Sequence, residues 1–491
     1  MRSQQALEDL EEFIRGNFDD LLVSMSISAT GSLFLNAWQQ PSELNTGHIM
    51  KYIPLFHVIA PVDDKSNLSL KLVTFHGKII SEISDHGAIN ITNEDKLNFV
   101  KRLQQSYLCK GFEFAEQGLR LDPKTFSSMY LVEQFEENVI RRNVEWLTAS
   151  SQSSVNFTPI QDLEGIVTPN GLCFERHHGG VSIINPKDYR LMINGLVDRE
   201  MIFTLDDLKR FPQTNKFYFL ECAANGGMEW KGSQLNGCQY TFGMVHNVQY
   251  TGVKLSDLVQ ETGLKPKAKW VLAEGSDSSG MTRSIPIEKL LDDCMVAWAM
   301  NGEALRSEQG YPARLVVPGW EGNMWVKWLR RLEFGDMPYM TREETSKYTD
   351  LLPDGNARMF TWVMDAKSVV TSPSPEKPIL KKGFHQLRGL AWSGRGKISR
   401  VDVSLDGGKN WQTAKLHEPV MSKSLARFTL PFKWNGEELL IQSRAIDETN
   451  YVQPTIQELQ KIRGVNSIYH NNSIATWLVN SDGKVDNVRL G

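Results

Sequence analysis

FYFLECAANGGMEW, residues 217–230, is the stretch on which the reading of this chain turns. Its first half is a short aromatic and aliphatic run, the composition of a buried strand. The run ends on Cys222, and Ala223-Ala224-Asn225-Gly226-Gly227 follow at once. Small residues leave room for backbone or a bulky ligand to approach the sulfur. A thiol at a strand end beside a glycine loop suits a nucleophile or a soft-metal ligand. A small buried hydrophobe is the plainer role for such a cysteine, so its neighbours must decide.

Two neighbouring segments bring cations. GLCFERHHGG (171–180) sets Arg176, His177 and His178 side by side. GYPARLVVPGWEGNMWVKWLRRLEF (310–334) combines Arg314, a Pro-Gly turn, Lys327, Arg330 and Arg331. Taken singly, each cation reads as a solvated surface group. Together with apolar walls and glycine loops they form the mixture that holds a large anionic ligand. From about residue 155 to 365 the pattern alternates short strands, glycine-rich loops and short helices. Strands are predicted at 190–195, 216–221, 269–274, 296–300 and 313–317, and helices at 205–210, 255–261 and 287–292.

Further out, TSPSPEKPILKKG (371–383) reads as a hinge, because its prolines interrupt sheet and helix. Beyond about residue 384 the pattern is β: Ile398, Val401, Val403 and Leu405 lie near period two before the Asp406-Gly407-Gly408 turn. A small β-sandwich is the expected result. At the other end, Leu7, Leu10, Phe13, Phe18, Leu21 and Leu22 predict an amphipathic helix, LSLKLVTFHGKII (68–80) predicts strands turning at His76-Gly77, and NEDKLNFVKRLQQSYL (93–108) predicts a helix capped by Asn93. His48, His57, His76 and His86 show no metal or haem spacing. Residues 125–145 read as a connecting helix.

The chain has 491 residues, 41% hydrophobic and 23% charged, which excludes disorder as the main state and suggests about three domains. With 54 Lys+Arg against 58 Asp+Glu, the charge balance of -4 argues against a nucleic-acid coat or a polybasic membrane binder. The five cysteines, Cys109, Cys173, Cys222, Cys238 and Cys294, form no C-x-x-C, so zinc ribbons, thioredoxin motifs and c-type haem attachment are unsupported. Cys173, Cys238 and Cys294 read as core. No apolar run approaches the roughly 20 residues that span a bilayer. The acidic opening lacks a basic, apolar or twin-arginine leader pattern, so as written it reads as cytoplasmic.

The segments TPNGLCFERHHGGV, FLECAANGGMEW, AEGSDSSGMTRSIP, GYPARLVVPGWEGNMWVKWLRRL, TSKYTDLLPDG and LAWSGRGKISRVDVSLDGGKNW follow one another between about residues 135 and 485. In that order they resemble the sulfite oxidase family of molybdopterin enzymes, and within it the Sox-type sulfane dehydrogenase (sulfite dehydrogenase) molybdenum subunits. The resemblance implies an α+β chain: an N-terminal module without assigned function (1–120), a helical connector (121–150), a mixed α/β molybdopterin domain (151–368) and an immunoglobulin-like β-sandwich that dimerises (369–491). It implies Cys222 as the molybdenum ligand. Phe174, Arg176, His178, Asp277, Arg314, Trp325, Val326 and Lys327 stand at cofactor-holding positions, the cations being suited to a pterin phosphate. Arg176, Tyr348 and Arg427 stand at catalytic positions, Arg427 as the arginine that the C-terminal domain lends to the substrate pocket.

Three positions depart from the family pattern. Gly226 and Gly227 stand where sulfite oxidases carry arginines, Tyr240 stands at a usual tryptophan, and Lys347 replaces an aspartate before Tyr348. Fewer arginines weaken a pocket for a small dianion, each charge-assisted bond being worth on the order of 1.5–3 kcal/mol. A glycine pair is expected to widen the mouth for sulfur carried on something larger. The implied reaction is oxygen-atom transfer from Mo(VI) to sulfite or carrier-bound sulfane sulfur, with electrons passed to a separate c-type cytochrome, no haem in this chain, and a sulfur-carrier protein as substrate donor. The rival readings are a molybdopterin-dependent sulfoxide reductase and a scaffold that has lost its cofactor. The family branch points to the periplasm, against the cytoplasmic reading of the opening residues.

Overall fold

Phe219 and Leu220 are fully or nearly fully buried in strand Gln213–Glu221, which carries the apolar run up to the residue before Cys222. The strand pairs antiparallel with Val245–Lys254, which pairs in turn with Met295–Met300. Glu303–Ala304 and Arg314–Val316 complete this sheet. A second sheet has the order Met201–Phe203, Leu191–Gly195, Leu329–Gly335, Trp270–Gly275, Thr282–Pro286, with one parallel pairing between Leu329–Gly335 and Leu191–Gly195. Helix Leu255–Thr262 buries Leu255, Leu258, Val259 and Thr262, one face at helical spacing, and Ile287–Asp293 buries Ile287 and Leu290. Leu191, Ile193, Val248, Val271, Val296, Leu315 and Leu332 join the two sheets in one core. Each such side chain contributes about 1.5–3 kcal/mol by leaving water. The predicted strands and helices of this region all form, with ends shifted by up to three residues.

The structure, a computed structural model, describes residues 154–490 apart from Pro353, together with Glu12 and the backbone of six earlier strands. Five of these, Leu21–Ile27, Leu33–Gln39, Ile53–Ala60, Ser69–Val73 and Ile79–Ser84, pair in chain order as one antiparallel sheet. Two of them are the strands predicted around His76-Gly77; of the amphipathic helix expected over 7–22 only Glu12, which is helical, is described before Leu21, where a strand begins instead, and the helix at 93–108 lies wholly outside the described residues. The sixth, Ile140–Asn143, pairs antiparallel with Ser154–Phe157 and so replaces the end of the helix expected over 125–145. Sheet pairing overrides local helical spacing there.

The C-terminal region is two antiparallel sheets. One runs Lys367–Ser372, Gly383–Trp392, Ala426–Trp434, Lys415–His417; the other Gln412–Thr413, Ile398–Ser404, Leu439–Asp447, Thr476–Val479, Val485–Val488. Leu387, Trp392, Val401, Val403, Phe428, Ile441 and Trp477 fill the space between them. The stretch expected as an interdomain hinge lies inside this sandwich, because Lys367–Ser372 already pairs with Gly383–Trp392 and the proline-rich segment joins those two strands. Phe219, Phe242, Val245 and Ile160 of the preceding domain pack into the sandwich core, so the two regions share apolar interior. No helix among the described residues is long and apolar enough to cross a membrane.

Candidate active site

Cys222 follows its strand directly, and its amide donates to Met244 O at 3.0 Å. The chain then turns tightly, Asn225 N donating back to Cys222 O at 2.9 Å. Gly322 lies across the turn: a Cβ there would come 2.9 Å from Glu221 O and 3.3 Å from Cys222 Cα. Only a glycine lets the 318–324 loop approach so closely. The thiol is half-exposed and opens into a cavity whose empty space, counted out into its mouth, is about 690 Å³. Phe174, Arg176, His178, Cys222, Asp277, Arg314, Trp325, Val326, Lys327 and Tyr348 all line it. One space therefore unites ten of the eleven residues singled out in the sequence.

Burial pushes the Cys222 thiol up, while the Arg176 guanidinium opposes the rise. Loss of its proton therefore requires a cation, as metal binding provides. Arg314 is buried; it donates to Gln309 O at 3.1 Å and Trp325 O at 2.9 Å, and its Nε has no hydrogen-bond partner among the described residues. Lys327 Nζ donates to Arg176 O at 3.2 Å and Glu308 O at 3.0 Å. Burial, with Arg314 nearby, pulls this ammonium down to about 7. Two crowded cations with donor capacity to spare fit the phosphate of a pterin. The soft sulfur opposite them fits molybdenum.

The other wall holds a tyrosine. Tyr348 sits at φ 49°, a left-handed conformation that costs a non-glycine residue on the order of 1–3 kcal/mol and persists only when surroundings enforce it. Its hydroxyl lies 3.2 Å from His178 Nε2, the Arg283 guanidinium lies 5.3 Å from its ring centre, and the Tyr469 ring packs at 4.8 Å. Burial, reinforced by Tyr469 and the Cys222 sulfur, holds Tyr348 well above the usual phenol range. Burial and the Arg176 charge hold His178 well below the usual imidazole range. A protonated tyrosine and a neutral imidazole therefore share one hydrogen bond, its direction set by which ring nitrogen of His178 carries the proton. His177 also borders the cavity, buried, with Nε2 3.2 Å from Glu308 O, a bond that holds its ring to the 307–309 turn.

Arg427 is the residue that the fold does not bring to the cavity. It lies in strand Ala426–Trp434 and donates through Nη2 to Leu163 O at 2.6 Å and Gly165 O at 2.8 Å. Its guanidinium ties the 163–165 loop to the sandwich. The C-terminal contribution comes from the loop after helix Ile456–Arg463, which sequence reading missed. Tyr469 stands against Tyr348, His470 N donates to Ala223 O at 2.7 Å, and His470 Nε2 meets Glu321 at 2.8 Å. The aromatic and histidine in SIYHNNS, within otherwise β-patterned sequence, were the available signal.

The glycine pair also behaves differently from the expected widening. A Cβ on Gly227 would come 2.5 Å from Ile468 O, so this glycine admits the Tyr469 loop. Tyr240 stacks on Phe157 at 5.1 Å and does not line the cavity. Lys347 is half-buried, close enough for its charge to depress His178. Cys173, Cys238 and Cys294 are buried and unbridged, as read.

The chain is similar to known proteins. Residues 178–342 match the oxidoreductase molybdopterin binding domain, and residues 358–477 the Mo-co oxidoreductase dimerisation domain. Sulfite oxidase of Gallus gallus is 31% identical over 348 residues, covering 65% of this chain and 75% of that protein. Mitochondrial sulfite oxidase of Mus musculus is 31% identical over 347 residues, covering 65% of this chain; the match spans 63% of the mouse protein's length. The crystal structure of the sulfane dehydrogenase SoxCD from Paracoccus pantotrophus superposes with a TM-score of 0.71 at 61% identity, covering 73% of this chain and 92% of that one. With the cavity that Cys222, Arg314 and Lys327 line, these matches establish that the chain belongs to the sulfite oxidase family of molybdopterin oxidoreductases.

Proposed function

We propose that the chain oxidises a sulfur substrate, sulfite or sulfane sulfur on a carrier protein, at a molybdenum–pterin centre. The observation that carries this is the union of the Cys222 thiol, Arg314 and Lys327 in one cavity. Cys222 would hold the metal, and Arg314 and Lys327 the pterin phosphate. The bound centre supplies two-electron oxygen-atom transfer. Arg176, beside Tyr348 and the sulfur, draws anionic substrate oxygens toward the metal-facing end of the cavity. Tyr348, kept protonated, directs its hydroxyl along the same wall and fixes the neutral His178. Trp325, Trp328 and Met281 keep that end dry, which strengthens each of these charge contacts.

Electrons leave to a separate c-type cytochrome, and the sandwich pairs two copies of the chain; both partners rest on the family likeness. Similarity to a sulfane dehydrogenase favours carrier-bound sulfane sulfur over free sulfite. The test is a steady-state assay with cytochrome c as acceptor, comparing sulfite, thiosulfate and a peptide persulfide, alongside elemental analysis. Turnover with molybdenum near one per chain, lost in Cys222→Ser with the fold intact, is expected. Full turnover in Cys222→Ser, or turnover only as sulfoxide reduction with a reduced dye, sinks the reading.

A further inference from the structure

Glu221 precedes Cys222 and is 1% exposed, yet it is ion-paired. Its carboxylate accepts three bonds: from Lys367 Nζ at 3.0 Å, Asn225 Nδ2 at 2.9 Å and Trp392 Nε1 at 2.7 Å. Lys367, 2% exposed, also donates to Asn225 O at 2.9 Å. The ammonium thus closes both ends of the Cys222–Asn225 turn, through the side chain before it and the carbonyl after it. Asn225 Oδ1 in turn accepts from Met244 N at 3.1 Å, next to the carbonyl that takes the Cys222 amide. Lys367 and Trp392 belong to the sandwich, where they are register partners on adjacent strands. One cross-strand pair of the second domain therefore clasps the residue that leads into the metal-facing sulfur.

We propose that Glu221 is a positioning residue for Cys222, and that the sandwich, through Lys367 and Trp392, sets where the sulfur points. This rests on the reading of Cys222 as the molybdenum ligand. Stability alone is a weak reason for such a pair, since a buried ion pair replaced on both sides by apolar residues is often neutral. Orientation is what the three converging bonds add: the carboxylate is fixed in both oxygens, and the backbone that carries Cys222 is fixed with it.

The buried-pair logic separates positioning from mere structure. Lys367→Met leaves Glu221 with its two neutral donors and no ion-pair partner, so the full-length chain should lose stability. Glu221→Leu with Lys367→Met removes both charges and should recover most of that loss, short of the cost of the Asn225 and Trp392 donors left unpaired. In that stable double variant the proposal expects two changes to persist. Alkylation of Cys222 by iodoacetamide in the cofactor-free chain, read at that position by peptide mass, should rise on the order of tenfold as the turn loosens. The Mo(V) electron paramagnetic resonance spectrum of the loaded chain should shift in g-values. Trp392→Phe, which removes the indole donor together with part of a buried ring but leaves the ion pair, should give the same signs at smaller size and stands in where the charge variants fail to fold. Wild-type alkylation and an unshifted spectrum in a folded variant overturn the proposal. Molybdenum retained in Cys222→Ser overturns the ligand reading instead, and the alkylation result, which needs no metal, tells the two failures apart.

Discussion

The cavity wall and the interior of the sandwich both bury charge, and they treat it in opposite ways. Asp447 in the sandwich is 0% exposed and accepts from Ser393 Oγ at 2.7 Å, Thr449 N at 2.9 Å, Thr449 Oγ1 at 2.7 Å and Tyr451 N at 3.2 Å. Gln453 likewise joins Ser368 and Ala445 through its oxygen and Ser473 through its nitrogen. In the cavity, Arg314 Nε and Glu308 Oε2 have no partner among the described residues, and two cations crowd each other. Two of the unpartnered atoms of the sandwich, Asn471 Nδ2 and Asn472 Oδ1, belong to the loop that carries Tyr469 and His470 toward the cavity. Between Asp447 and the cavity cations, the buried charge whose bonds are all made reads as structure, and the one with bonds left over, in a space that can admit a ligand, reads as a site.

The largest effect should come from breaking the satisfied region. Asp447→Ala takes the acceptor from the buried Ser393 hydroxyl and from three donors of the 449–451 turn, and should cost about 2–4 kcal/mol of stability, read from the denaturation midpoint. Molybdenum content per folded chain should stay at the wild-type level. A variant of normal stability would show that the Asp447 turn is not the closed network described. Next in size is the converse change. Arg314→Met should weaken cofactor retention by about 10- to 100-fold, the worth of one lost charge-assisted bond, while the cofactor-free chain loses less stability than Asp447→Ala does, because relief of crowding at Lys327 offsets the donors lost at Gln309 O and Trp325 O. Equal loss of stability in the cofactor-free chain would erase the contrast between the two regions.

What the sequence disclosed follows the same division. Strand Gln213–Glu221 and the helices around Leu258 and Leu290 are legible because local apolar spacing decides them. Cys222, Arg314 and Lys327 are legible as chemistry, since a strand-end thiol and clustered cations are costly without a partner, and their segments resemble a known family. Tyr469 and His470 were hidden because they arrive on a loop far along the chain, admitted by Gly227. Arg427 misled because a basic residue in the right domain looks available until its carbonyl partners, Leu163 and Gly165, are known. The clasp on Glu221 needs three segments at once, and local spacing records none of those contacts.

A smaller effect, spread over pH, sharpens the comparison. Lys327 titrates near 7 in the folded chain against its ordinary 10.5. Between those values the unfolded chain binds a proton that the folded chain does not, so the cofactor-free protein should gain stability as pH rises from 7 toward 10.5. The slope is at most about 1.4 kcal/mol per pH unit. Below 7 both states are protonated and this contribution to the slope vanishes. Lys327→Met should flatten the alkaline rise, and so should loading with the cofactor, whose phosphate restores the ammonium. A rise that survives Lys327→Met would belong to other groups and would remove Lys327 as the crowded cation.

The smallest catalytic effect is expected at Arg427, set against Arg176. Both are cationic in the sequence, but only Arg176 lines the cavity, with Tyr348 and Cys222 as its electrostatic neighbours. Arg427 is 8% exposed and fastened to the carbonyls of Leu163 and Gly165. Arg427→Met should leave those carbonyls short of a donor and cost about 1–3 kcal/mol in stability, with KM for the sulfur substrate unchanged. Arg176→Met should instead raise KM and lower kcat/KM by about tenfold or more at little cost in stability, because it removes charge that faces substrate. The pair tests position against residue type. A KM for Arg427→Met that rises as steeply as for Arg176→Met would mean that the strand-borne arginine reaches the substrate after all, and that the 163–165 loop moves away when substrate binds.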